Sequence, residues 1–360
     1  MTAQPLRFGS DHGVLRSEDA PLLTGHGRYT DDVNLPGQAR AVFVRASVGH
    51  ARINRLDTTA AKAMPGVLAI LTAKELSAAG VQSIPPLATM NGRDGKPMFV
   101  AAMPPLAIDR VRYVGEPVVC VVAETEAQAL DAAEQVAIDY DTLPAVVDPA
   151  LAVAPGAPAL WEGAPNNVAL DWVDGDAAAV DAAFARAAHT VQVKLLDTRL
   201  APATMEPRGG LAQWDSATAR YTLTASTQGV AIVRNILATH VLKIPPQSLR
   251  VLTHDVGGGF GMKTHPYPEY VSILVAARTI NRPVKWRNTR LDSFLSDTAG
   301  RDGVLEAELA LDANGKFLGL RARNLVGMGA YISTFGATFA TNNTKNCLSS
   351  VYVIPAIHVN

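Results

Sequence analysis

The residues best equipped for chemistry lie in one run, Asp255-Val256-Gly257-Gly258-Gly259-Phe260-Gly261-Met262-Lys263. Four glycines around one aromatic describe a backbone that approaches something closely, since glycine takes positive φ at little steric cost and leaves its N–H groups uncovered. Such a loop can cradle an anion or a flat polar cofactor. One or two glycines would indicate only a tight turn or bulge, whereas four within five residues favour a site. Gly257 to Thr264 comes close to the phosphate-binding pattern G-x-x-x-x-G-K-S/T, but Met262 stands where its second glycine belongs. That pattern must also run straight into a helix, and Pro266 and Pro268 delay the next one to about Glu269. A dinucleotide fingerprint fits worse: Gly257 and Gly259 lack the third glycine, and no acidic residue follows at the required interval.

The elements that position this loop can be read on either side of it. Leu249 to Val256 is β-type and leads into it, while Val191 to Leu196, Leu211 to Trp214 and Tyr221 to Ala225 supply further strands. Asp176 can cap a helix through Ala188 with Val180, Phe184 and Ala187 on one face, and helices start near Gln228 and Glu269. Asn314-Gly315, between Leu305 to Leu311 and Phe317 to Arg323, signals a hairpin. Further upstream, β-type runs at Ala41 to Val48, Gly66 to Leu71 and Pro117 to Val122 alternate with two helices. Thr72 with Glu75 and Thr125 with Gln128 mark capping boxes for them. Gly80 stops the first helix, and Ala129, Leu130, Ala133, Val136 and Ala137 give the second an apolar stripe expected to be core. This region reads as a compact α/β domain, interrupted by a polar, proline-containing loop from Gln82 to Pro105. The proline- and alanine-rich stretch that follows reads as a surface linker. The expected division is therefore 1–148 with an N-terminal arm, a linker at 149–167, and 168–360.

Composition narrows the function classes. With 360 residues, 48% hydrophobic and 18% charged, and a net charge of −1, the chain can bury a sizeable core and carries no basic footprint for nucleic acid. Cys120 and Cys347 form no CxxC pair, which argues against iron-sulfur or structural zinc within the chain. The N-terminus shows no apolar signal segment, and no run is long and apolar enough to span a bilayer, so a cytoplasmic location is expected. His254, His265 and His358 form no spaced ligand set. The last ten residues, Val351 to Asn360, read as an apolar strand lacking partners, as though the sequence stopped inside a domain.

Three motifs in order, Ala203-Thr204-Met205-Glu206-Pro207-Arg208-Gly209-Gly210, Ser226-Thr227-Gln228-Gly229 and the glycine loop, resemble a known family. It is the molybdopterin-binding large subunit of the xanthine dehydrogenase, aldehyde oxidase and carbon monoxide dehydrogenase family. Arg16-Ser17-Glu18-Asp19, Leu22 to Asp32 and Val114-Gly115-Glu116-Pro117-Val118 resemble its entry domain, and the resemblance covers nearly the whole chain. It implies a mixed α+β fold: an N-terminal hammerhead-type α/β domain, then the first part of a molybdopterin-binding domain.

By the same resemblance, Gln228 hydrogen-bonds an oxygen ligand of molybdenum, and its place between a strand and a helix suits negative oxygen. Gly258, Gly259, Phe260 and Gly261 lie against the pterin and metal, with Phe260 as an apolar wall, and Gly229 binds the cofactor beside Gln228; neither Gln228 nor Phe260 ligates the metal. Glu206 and Arg208 form a buried ion pair or fix the loop. The implied reaction oxidises an aldehyde, an N-heterocycle or carbon monoxide with water as the oxygen source. The cofactor is molybdopterin with molybdenum, in its cytosine dinucleotide form, while FAD and 2Fe-2S clusters sit in a medium and a small partner subunit. The general-base glutamate has no match here and is expected beyond Asn360, in a C-terminal remainder, so the isolated chain should be inactive. Where purine-oxidising members carry glutamate, this chain has Thr264, which argues against xanthine as substrate. Two other readings stay open, a non-catalytic half-pocket or assembly module and a P-loop nucleotide-binding protein.

Overall fold

The structure is a computed structural model that describes residues 16–300 and 302–360. The arm expected at the extreme N-terminus falls, for residues 1–15, outside the described residues.

A seven-stranded mixed sheet organises the chain. Its strands run, edge to edge, Leu249–Leu252, Arg220–Ala225, Gly209–Asp215, Val284–Arg287, Ala39–Arg45, Pro117–Ala123 and Val67–Leu71. Two neighbouring pairs are parallel, Ala39–Arg45 with Val284–Arg287 and Arg220–Ala225 with Leu249–Leu252. The Pro117–Ala123 strand reads as an unbroken apolar run because all its residues are buried. Cys120 and Val122 enter one core while Val119 and Val121 enter another, so both faces are covered. Each of these fully buried valines contributes about 1.5–3 kcal/mol of transfer free energy. The sheet passes without a break from the first 148 residues into the later ones, and the larger core takes Phe43 and Leu71 together with Leu223 and Ile273.

The capping boxes form as their sequences dictate, with Thr72 and Glu75 opening Ala73–Ala78 and Thr125 and Gln128 opening Glu126–Glu134. The apolar stripe expected on the second helix is partly wrong. Ala129 is buried, but Leu130 is 47% exposed and Ala137 lies in a strand, Ala137–Thr142, that pairs with Ala51–Asp57 in a small three-stranded sheet. The stretch read as a linker is pinned by Asn167, whose Nδ2 donates to Ala152 O and Pro158 O at 2.9 and 3.0 Å.

A second sheet of five strands holds Asp174–Gly175, Ile357–Val359, Phe317–Val326, Gly303–Leu311 and His189–Asp197, in that order. Its hairpin turns where Asn314-Gly315 predicts, with Gly315 at φ 80°. The expectation of an open apolar strand from Val351 to Asn360 is corrected. Val351 and Val353 are exposed coil before Pro355, only Ile357–Val359 is strand, and that strand is seated between two others. The sheet's open, solvent-exposed edge is instead His189–Asp197.

Candidate active site

The glycine loop hangs from the end of the Leu249–Leu252 strand, four residues short of the expected strand end at Val256. It closes through a three-residue turn, Met262–Thr264, before the helix Pro268–Ile280. Within it Gly258 and Gly261 take φ of 101° and 85°, and Phe260 is also left-handed at 49°. A β-carbon on Gly259 would lie 2.4 Å from Gln228 Cδ, and one on Gly257 would lie 2.4 Å from Glu206 Cβ. Two of the glycines are therefore required by close approach and two by backbone conformation.

Beneath the loop lies a buried ion pair that local sequence does not reveal. Lys263, the residue that suggested phosphate binding, is buried. Its Nζ donates to Glu206 Oε2, Glu206 O and Ser226 Oγ at 2.8, 2.9 and 2.9 Å. Burial lowers the Lys263 ammonium from its ordinary value while Glu206 holds it up. Glu206 also accepts from Gly257 N at 2.8 Å, Ser226 Oγ at 2.6 Å and Thr30 N at 3.2 Å. With Lys263 committed downward and no helix joined to the loop, the P-loop reading loses both its lysine and its helix N-terminus.

Arg208 does not pair with Glu206, one of the two arrangements the sequence left open. It is fully buried, bonds Glu269 at 2.9 Å and Asp297 at 2.5 Å, and stacks on Tyr267 at 3.7 Å. Burial alone would raise the Glu269 carboxyl, but Arg208 and Arg45 hold it down to about 2. This network fixes the base of the helix that follows the loop. Arg28, in the segment that resembles the family's entry motif, ties on from outside: Arg28 N donates to Asp255 Oδ2 at 2.7 Å and Asp255 N to Arg28 O at 3.0 Å.

Gln228 stands against the loop but does not open the helix. Gly229 is the N-cap of Val230–Asn235, so Gln228 lies one residue before it. Gln228 N donates to Lys263 O at 3.0 Å, and its Oε1 accepts from Lys263 N at 3.2 Å. The side chain is exposed, and its Nε2 donates to nothing among the described residues. The same holds for four consecutive backbone N–H groups, those of Gly258, Gly259, Phe260 and Gly261. Phe260 is 77% exposed beside them. Sequence reading missed Ser226 Oγ, Thr30 N and Arg290, whose Nη2 donates to Thr204 O at 2.7 Å. Arg290 gave no sequence signal at all. Among the described residues His254, His265 and His358 join no group able to hold a metal. His265 is buried with Nδ1 unpaired, and desolvation pushes it down to about 4.

Comparison with known proteins follows this geometry. The model of the molybdopterin cofactor-binding domain matches residues 160–360, and that of the aldehyde oxidase and xanthine dehydrogenase a/b hammerhead domain matches 24–144. The chain belongs to the xanthine dehydrogenase and aldehyde oxidase family. It is 35% identical to the carbon monoxide dehydrogenase large chain of Hydrogenophaga pseudoflava over 95% of this chain and 42% of that protein. The crystal structure of quinoline 2-oxidoreductase from Pseudomonas putida 86 superposes with a TM-score of 0.88 at 32% identity, over 96% of this chain and 43% of that one. The chain thus spans between 38% and 44% of the first curated relatives it matches. Against the nicotinate dehydrogenase large molybdopterin subunit of Eubacterium barkeri, 26% identical, it covers 98% of itself and 79% of that subunit. The fold class of the family, mixed α/β with a hammerhead domain ahead of the molybdopterin-binding one, is the one the sequence implied. No helix among the described residues is long and apolar enough to cross a membrane.

Proposed function

We propose that this chain forms the glycine-loop wall of the cofactor pocket in a multi-chain molybdenum hydroxylase. The enzyme oxidises an aldehyde, an N-heterocycle or carbon monoxide with water as the oxygen source. One observation carries the reading: four successive free N–H groups, from Gly258 to Gly261, lie beside the free Nε2 of Gln228. Successive unpaired backbone donors, three of them on glycines, suit a flat cofactor bearing anionic oxygens. Gly258, Gly259 and Gly261 would hold the pterin with Phe260 as apolar wall, and Gln228 with Gly229 would face the oxygen ligands of molybdenum. When bound, such a cofactor supplies the redox chemistry, and the protein supplies orientation and electrostatics.

The division of labour among the chain's own groups follows from their partners. Gln228 can donate from Nε2 only, because its Oε1 is held by Lys263 N. Glu206 cannot serve as general base, since its two oxygens already accept from Lys263, Ser226, Gly257 and Thr30. By the family resemblance the base would belong to the other half of the pocket, on a C-terminal remainder or a second polypeptide, and the chain alone would be inactive. The cytosine dinucleotide form of the cofactor, a flavin-binding and a 2Fe-2S partner, a cytoplasmic location and the division at 149–167 belong to the same reading. Thr264 in place of a carboxylate counts against xanthine.

The test is the metal and pterin content of the assembly purified from its natural source. Molybdenum and pterin near one per copy of this chain are expected, falling at least tenfold in Gly259→Ala. A fully assembled complex holding neither would sink the proposal.

A further inference from the structure

The Leu249–Leu252 strand closes one end of the seven-stranded sheet and, among the described residues, pairs only with Arg220–Ala225. A groove of about 280 Å³ lies against this edge, with Val230, Pro246 and Val251 as apolar lining and Arg220, Arg234 and Arg250 around it. Several arginines elsewhere in the chain are matched to carboxylates, among them Arg45 and Arg208 with Glu269, Arg282 with Glu124 and Arg321 with Glu308, while others, such as Arg40 and Arg323, form no ion pair among the described residues. None of the three groove arginines has a carboxylate in ion-pair reach among the described residues, and Arg234 bonds only its neighbour Asn235.

Their placement is periodic. Arg250 is in register with Thr222, so Arg220, two residues before Thr222, lies diagonally across from it on the same face. Along the strand direction the two are therefore offset by two residues, about 6.6 Å. Alternate side chains of an extended strand repeat at the same interval. A small phosphate site would need buried, convergent donors, whereas Arg220 and Arg250 are exposed and stand on two different strands.

We propose that this groove docks an extended acidic segment of a partner chain, added as a further strand beside Leu249–Leu252. Alternate carboxylates of that segment would meet Arg220 and Arg250, with Arg234 reaching it from the Val230–Asn235 helix. An open strand edge supplies main-chain hydrogen bonds, and the arginines supply the choice of partner. The groove shares no residue with the candidate active site, although its helix wall begins directly after Gly229.

The assembly purified from its natural source tests this with Arg234→Lys and Arg250→Lys, each of which puts a primary amine in the groove. Carbodiimide then couples any touching carboxylate to that amine without a spacer, and mass spectrometry locates the product. Cross-links to an alternating Asp/Glu stretch of another chain are expected. The combined Arg220→Gln, Arg234→Gln and Arg250→Gln variant should bind that chain about tenfold more weakly and with a shallower salt dependence, at unchanged molybdenum content. Cross-links confined to this chain, no cross-link in an intact assembly, or full protection by inorganic phosphate with the assembly intact would each overturn the proposal. The readout is a cross-link rather than turnover, so it can fail while the cofactor reading stands.

Discussion

Glu206→Gln is the sharpest probe of how the glycine loop is held. The substitution keeps the shape of the side chain but removes the charge facing Lys263, whose side chain is 0% exposed. Breaking one side of a buried ion pair typically costs about 3–5 kcal/mol, because the remaining charge has neither water nor partner. Glu206 keeps an oxygen for Gly257 N or Ser226 Oγ after the change, so the lower end of that range, about 3 kcal/mol, is expected. Lys263→Met forfeits the three bonds from Nζ and leaves the Glu206 carboxylate with its remaining donors from Gly257, Ser226 and Thr30, for about 2 kcal/mol. The double variant removes both charges together and should lose no more than about 2–3 kcal/mol in total, a coupling of about 2 kcal/mol. Urea unfolding of the four proteins at constant slope measures it. Costs that add to within about 0.5 kcal/mol would show that the two groups do not depend on each other, and the account of the loop would fail.

Three further outcomes can be checked. Gly259→Ala should abolish cofactor retention while leaving the fold intact, because its β-carbon meets Gln228; Gly261→Ala, whose β-carbon meets nothing, should cost only about 1–2 kcal/mol from its φ of 85°. Equal molybdenum loss in both would contradict that distinction. His265 has an ordinary value of 6.5 but is pushed down to about 4 by burial, so the unfolded chain takes up a proton that the folded one refuses. Stability should be flat above about pH 6.5 and decline by about 3 kcal/mol as pH falls toward 4, and His265→Leu should flatten that decline in thermal melts. Glu269→Gln should cost about 3 kcal/mol by removing the buried carboxylate that Arg208 and Arg45 share, leaving them only Asp297 and Asp292. Because the Glu269 carboxyl is held down to about 2, its contribution is complete above about pH 4.5 and fades as pH approaches 2. A near-native unfolding midpoint for Glu269→Gln at neutral pH would refute the role assigned to this network.

What could be read in advance was local. A capping box such as Thr72 with Glu75 is complete within four residues, and Gly315 sets its hairpin through its own φ. The glycine loop was likewise visible by type and spacing, whereas Gln228 and the role of Phe260 were legible only through the family resemblance; the structure brings them together. The misreadings occurred where the local signal was ambiguous. Ala137 continues a helical spacing, yet Ile138 and Tyr140 also alternate, and pairing with Ala51–Asp57 decides for a strand. Val351 and Val353 have strand-like chemistry without a neighbouring strand, and Pro355 denies them a donor where pairing begins.

By itself the sequence determined the family, the order of its motifs and the loop that a cofactor could approach, since these rest on residue types a few positions apart. Only the tertiary structure decided which charges meet. Lys263 finds Glu206 across 57 positions, Arg208 finds Glu269 across 61 and Arg45 finds Glu269 across 224. Many carboxylates could serve each cation along the chain, and burial selects one, because an unpaired charge inside the core costs several kcal/mol and a correctly placed partner removes most of that cost.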